Sequence, residues 1–158
     1  MCARTPESRP FSIFLKTNSL LILACIAASL WAWQQDPAFA ERNLVFSLRN
    51  LEKGRLWTLF AALFVHANVL HLFGNMLFLF VFGNTLEKTL GAQRLLAIFF
   101  TGGFVSFLVG LGFLPGGTGM LGASAAIFAL AGCVMLVRPL RFSWLFLAPQ
   151  GLIAIIYF

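Results

Sequence analysis

From residue 56 to residue 82 the chain runs for 27 residues without a side chain charged at neutral pH. A stretch of that length has few homes, because a helix needs only about 20 apolar residues to cross a bilayer. Other apolar runs flank it, at 19–33, 95–114, 122–137 and 142–158. Only 10% of the residues are charged and 60% are hydrophobic, whereas a soluble domain carries about 25% and 45–50%. That balance excludes a soluble globular fold and a disordered chain alike. An all-α, polytopic transmembrane helical bundle is expected. The net charge of +6 would suggest nucleic acid in a soluble protein. Here the cations sit between apolar segments and read as topology signals, so no nucleic-acid partner is expected.

The segments divide into a cytoplasmic N-terminal arm, 1–18, and one membrane domain, 19–158. The run 19–33 has the length of a signal peptide. No small-residue cleavage site follows Trp31-Ala32-Trp33, and more apolar segments come after it, so a retained first helix is expected. Trp31 and Trp33 would mark one interface and Lys16 would snorkel at the other. The connection 34–55 is polar, with seven charges. The long uncharged stretch is expected to lie at the interface or on the bundle over 56–65, with the helix proper starting near Asn68. Residues 83–94 read as a short polar turn, and the Pro and Gly of 115–119 as a loop. Counting Lys and Arg over the short connections places seven on the side of the N-terminus and four opposite. That bias puts the N-terminus in the cytoplasm of a multi-pass cell-membrane protein. Cys2, Cys25 and Cys133 have no metal-ligand spacing, so neither metal nor other cofactor is expected.

Polar side chains inside apolar spans are costly and mark packing or function. His71 and Asn75 stand four residues apart, about 40° from each other on a helix, whereas His66 would lie about 140° from His71 if the helix reached it. Two readings of the pair stand: hydrogen bonding between helices, or a chemical site. Ser124, within Gly122-Ala-Ser-Ala-Ala126, opens a helix after a Gly-rich loop. Such a serine commonly bonds back to a carbonyl. At a first helical turn, free N–H groups and the positive dipole end also suit an oxyanion beside a nucleophile.

Together, His66-Ala-Asn-Val-Leu-His71-Leu-Phe-Gly-Asn75, Gly83-Asn-Thr-Leu-Glu87 and Gly122-Ala-Ser124 resemble, in order and spacing, the rhomboid intramembrane serine proteases. The resemblance covers residues 55–158. It implies a six-helix bundle with a water-accessible cavity, five of its helices lying in this chain. It implies Ser124 as nucleophile, and His71 and Asn75 with the Ser124 N–H as oxyanion hole. His66 would be structural where the first loop meets the second helix, Glu87 would anchor a helix end, and Phe128 would line the cavity one turn beyond Ser124. Transmembrane proteins within the lipid bilayer would be the substrates.

Three departures accompany the resemblance. Ala125 stands where the family usually has Gly, adding a methyl at the expected tightest helix contact. Trp57-Thr58 replaces a common Trp-Arg pair. The family's general base is a His on the sixth helix, and the chain ends within the expected fifth, so it lacks half of the dyad and by itself is expected to be inactive. The apolar ending at Phe158 without a basic anchor reads as a fragment, and the small-residue row Gly122, Ala125, Ala126, Ala129, Gly132 and Cys133 calls for a close helical partner. The alternative reading is a rhomboid-like pseudoprotease that binds membrane segments without cleaving them. The orientation is directly testable: a cysteine replacing Thr118 is expected to react with a membrane-impermeant maleimide in intact cells. Labelling only after lysis would reverse the topology.

Overall fold

The computed structural model describes residues 16–113, 115 and 118–157. Residues 1–15, and with them most of the N-terminal arm, lie outside the described residues, as do Gly116 and Gly117 of the expected loop and Phe158. The first helix, α1 (Thr17–Ala32), starts against a carboxylate from far along the chain. Glu87 accepts the N–H of Thr17 at 2.7 Å and of Asn18 at 3.1 Å. These are two of the donors that a helix start leaves without internal partners. Leu21, Cys25, Ser29 and Ala32 recur every three or four residues and form the buried stripe, while Leu20, Leu23 and Leu30 point outward.

The polar connection folds locally. Asp36 caps α2 (Pro37–Asn43) by accepting from the N–H groups of Ala38 and Phe39, with Pro37 preset at the first position. Ser47 caps α3 (Leu48–Glu52). Asn50 is buried and donates to the carbonyls of Glu41 and Val45 while accepting from Arg55. The uncharged stretch then opens with a single short helix, α4 (Thr58–Ala61). In place of the Trp-Arg pair, Trp57 is exposed and Thr58 is buried, its hydroxyl donating to the Arg55 carbonyl at 2.7 Å. The long helix begins at α5 (Val69–Phe78), where Oδ1 of Asn68 accepts the His71 N–H at 2.8 Å.

The expected polar turn at 83–94 is not there. The helix passes from α5 through a π-helical turn (Leu79–Gly83) into α6 (Asn84–Leu90), a continuous run Val69–Leu90 of 22 residues. Asn84, Thr85, Glu87 and Lys88 are compatible with a helix. Charge and polarity there mark contacts with α1, and Thr85 is buried. The reversal needs one residue only, Gly91, at φ 88°. It leads into α7 (Ala92–Phe113), and among the described residues Val69–Leu90 and Ala92–Phe113 are the runs long and apolar enough to cross a membrane.

Helix α8 (Ser124–Val137) packs along α7 through small residues. Gly102 abuts Ala129, and Gly103 lies against Ala126 and Leu63. The close partner called for by the small-residue row is thus, for Ala126 and Ala129, α7.

The expected fifth span also differs. Phe142–Ser143 (β1) and Ala148–Pro149 (β2) pair antiparallel, Phe142 opposite Pro149, and helix α9 (Gln150–Tyr157) begins only after them. Pro149 lacks an N–H and drives Ala148 to extended backbone. A run this short and apolar has no periodicity to separate a hairpin from a helix.

At the π turn, the fully buried Asn18 donates its amide to the Leu79 carbonyl at 3.1 Å. A side chain at Gly83 would collide with Asn18, whereas one at Gly74 would meet nothing within 4 Å. Gly83→Ala is therefore expected to destabilise the protein by about 1–3 kcal/mol through overpacking. Gly74→Ala is expected to be neutral, or stabilising by up to about 1 kcal/mol. Thermal unfolding in detergent compares the two, and equal losses would contradict this packing.

Candidate active site

The Asn68 cap sets where α5 begins, and with it the direction of two side chains. His71 stands in the first turn and Asn75 one turn later on the same face. Asn75 is 4% exposed, and its Nδ2 is buried without a hydrogen-bond partner among the described residues.

His66 precedes α5, so its angular offset along a helix does not apply. Its ring folds back to 5.1 Å from the His71 ring, edge to face at 71°. Its Nε2 accepts the Ala123 N–H at 3.3 Å. Nδ1 must then hold the proton, and it donates to the Ser29 hydroxyl at 3.1 Å. Ser29 in turn donates to the Phe64 carbonyl at 3.2 Å, and the Trp33 indole N–H donates to the His66 carbonyl at 2.8 Å. One buried imidazole thereby joins α1, the loop ahead of α5 and the segment ahead of α8.

The segment before α8 is held by its backbone. The Gly122 N–H donates to the Ala62 carbonyl at 2.7 Å, and Phe46 and Met120 exchange a pair of backbone hydrogen bonds. Gly122 has φ 107°, and a Cβ on it would lie 2.7 Å from Cε1 and 2.9 Å from Nε2 of His71 and 3.7 Å from Nδ2 of Asn75. Only glycine tolerates both that backbone and that approach. Next comes Ser124, the half-buried first residue of α8. Among the described residues neither its hydroxyl nor its N–H has a hydrogen-bond partner.

His66, His71, Asn75 and Gly122 are thus gathered at the start of α8, beside Ser124. Phe128 lines a groove of about 420 Å³ between α7 and α8, with Thr101, Val105 and Ser106 across from it. Ala125 lines the same groove, as do Gly102 and Ala129, which abut each other there. Glu87 stands at the other end of the long helix, twelve residues and so about 18 Å beyond Asn75. Ser29, Trp33 and the Ala62 carbonyl escaped the sequence reading. Only Ser29 left a signal, as a polar residue within an apolar run.

The rhomboid domain family matches residues 53–158. The chain belongs to the rhomboid family, and is a membrane protein with an all-α, rhomboid-like fold. It is 35% identical over 136 residues to Rhomboid-like protease 2 of Toxoplasma gondii, covering 84% of this chain and 48% of that protein. It is 40% identical over 140 residues to Rhomboid-like protein 11, chloroplastic, of Arabidopsis thaliana, covering 85% and 45%. With RHOMBOID-like protein 12, mitochondrial, of the same plant it shares 30% over 112 residues, 60% of this chain and 33% of that one. The chain spans half or less of the length of these relatives. Their names place them in different compartments, so membership leaves the particular membrane open.

Burial, with the His71 imidazole beside it, holds His66 well below its ordinary 6.5, at about 4. Unfolded, the ring would protonate near 6.5; folded, it resists to about 4. Its contribution to stability is therefore complete above 6.5 and is lost as the pH falls from there through 4. Protonation also turns Nε2 into a donor facing the Ala123 N–H. Unfolding followed from pH 7.5 down to pH 4 is expected to show this loss in the wild type and not in His66→Gln, with the difference between the two isolating the imidazole from the carboxylates. Parallel profiles would overturn the assignment.

Proposed function

We propose that the protein is an intramembrane serine endopeptidase that cleaves transmembrane proteins, with Ser124 as its nucleophile. The observation that supports this most strongly is the Asn75 amide, a buried donor without a partner on the helix face it shares with His71, against the backbone just ahead of Ser124. Leaving such a group unpaired costs about 1–3 kcal/mol. A carbonyl oxygen that becomes negative at this place would supply the partner.

In this reading the Ser124 hydroxyl adds to the scissile carbonyl. The oxyanion takes hydrogen bonds from Asn75 Nδ2, a His71 ring N–H and the Ser124 N–H, and the N-terminal dipole of α8 adds to their field. A serine hydroxyl needs a base to attack. His66 is unsuited, since both ring nitrogens are engaged with Ala123 and Ser29. His71 belongs to the oxyanion side. The base is then a histidine on a further helix, outside these 158 residues, packed near Phe128. It takes the serine proton and returns it to the leaving amine, and water then releases the acyl group. No cofactor takes part. Gly122 and His66 hold the serine segment in place, and Glu87 secures α1 at the far end. The reading also places the protein in the cell membrane with its N-terminus in the cytoplasm.

A cleavage assay in detergent on a transmembrane substrate tests this. The 158-residue chain alone is expected to be inactive, and the chain extended by the further helix is expected to cleave. In that longer protein Ser124→Ala is expected to abolish cleavage. Asn75→Ala is expected to lower kcat about 10²–10³-fold, because other oxyanion donors remain. Cleavage undiminished in Ser124→Ala would refute the assignment. A longer protein that binds substrate without cutting it would instead be a pseudoprotease.

A further inference from the structure

At the end of the bundle where α1 begins, well away from Ser124, a cleft of about 330 Å³ opens between α1, the π turn with α6, and the β1–β2 hairpin. Three cations from distant parts of the chain meet at its rim: Lys16, Lys88 and Arg141. All three are exposed. Among the described residues the one ion pair is Arg49 with Glu41, so none of the three has a carboxylate within 4 Å. Glu87, next to Lys88 in sequence, directs its carboxylate to the N–H groups of α1. Like charges that converge without a counter-ion among the described residues form a positive potential suited to an anion.

Buried polar residues also line the cleft. Thr85, Ser143 and Gln150 are 2%, 6% and 4% exposed. The Gln150 Oε1 is buried with no hydrogen-bond partner, although the Gln150 N–H is bonded to the Arg141 carbonyl at 2.7 Å. The outer wall is apolar: Phe80 is 53% and Trp144 83% exposed. Exposed aromatics beside cations are the arrangement of a membrane–water interface.

We propose that this cleft binds the headgroup of an anionic membrane phospholipid. Its phosphodiester lies among Lys16, Lys88 and Arg141, and the acyl chains run along Phe80 and Trp144. A free phosphate would satisfy the cations but make no use of the apolar wall. The chemistry shared by the two is the phosphate anion, and the wall decides for the lipid.

The test is native mass spectrometry of the intact purified protein with dioleoyl phosphatidylglycerol or dioleoyl phosphatidylcholine, after thermal unfolding has shown each variant to be folded. Phosphatidylglycerol is expected to be retained over phosphatidylcholine. Lys88→Gln and Arg141→Gln are each expected to weaken that retention about fivefold, while Arg49→Gln, on the 34–55 connection, leaves it unchanged. Equal retention of the two lipids, or an equal loss with Arg49→Gln, would overturn the proposal. Inorganic phosphate that displaces the lipid at comparable concentration would assign the cleft to a free anion and overturn it as well.

Discussion

Almost everything about the position of Ser124 passes through one buried imidazole. His66 accepts from Ala123 with one nitrogen and donates to Ser29 with the other. The donor on one side dictates the tautomer, and the tautomer dictates the partner on the other. A charged ring would set a proton against the Ala123 N–H and leave that charge in the interior, where both desolvation and the neighbouring His71 oppose it. The neutral ring therefore serves as a spacer with a fixed polarity. It ties α1 to a segment some hundred residues later in the chain, with the Trp33 indole holding the same residue by its carbonyl.

The irregular backbone ahead of α8 follows from the same constraint. In a membrane protein, non-helical backbone is tolerated only where its polar groups find partners inside the protein. Here Met120 pairs with Phe46, Gly122 with the Ala62 carbonyl and Ala123 with His66. The N–H groups of Gly122 and Ala123 are both bonded, whereas among the described residues that of Ser124, where the helix begins, is not. The long helix contributes at both of its ends. Its first turns present His71 and Asn75 to this segment, while its π turn gives the Leu79 carbonyl and its last turns give Glu87 to α1. α1 is thus held at its N-terminus by one end of that helix and, through Ser29, by the loop that leads into the other.

The family, the apolar segments and the residues worth attention were legible in the sequence, because each depends on chemistry that shows in one dimension. Uncharged runs longer than a bilayer is thick have few places to go. Histidine, asparagine and serine inside such runs stand out against apolar neighbours. The helix start near Asn68 was legible because the uncharged stretch is longer than a bilayer needs, and the structure adds the cap by which Asn68 fixes it. Misreadings arose where polarity had a distant cause. Glu87 resembled a turn residue because its partners, the N–H groups at the start of α1, lie some seventy residues away. The 142–158 run resembled a span because an apolar hairpin and an apolar helix share a composition, and only Pro149 hinted at the break.

By itself the sequence determined the class of protein and the approximate start of the long helix, and it singled out His66, His71, Asn75 and Ser124, since those follow from hydropathy and motif spacing. Only the tertiary structure decided which of those side chains meet. His66 joined His71 by folding back from a loop, which no helical angle predicts. Gly122 proved necessary because its backbone takes φ 107° against the His71 ring, a contact that exists only once α5 and the segment before α8 are packed together. Lys16, Lys88 and Arg141 came together the same way, from segments far apart along the chain. Proximity across such separations is set by packing, and packing is a property of the folded chain.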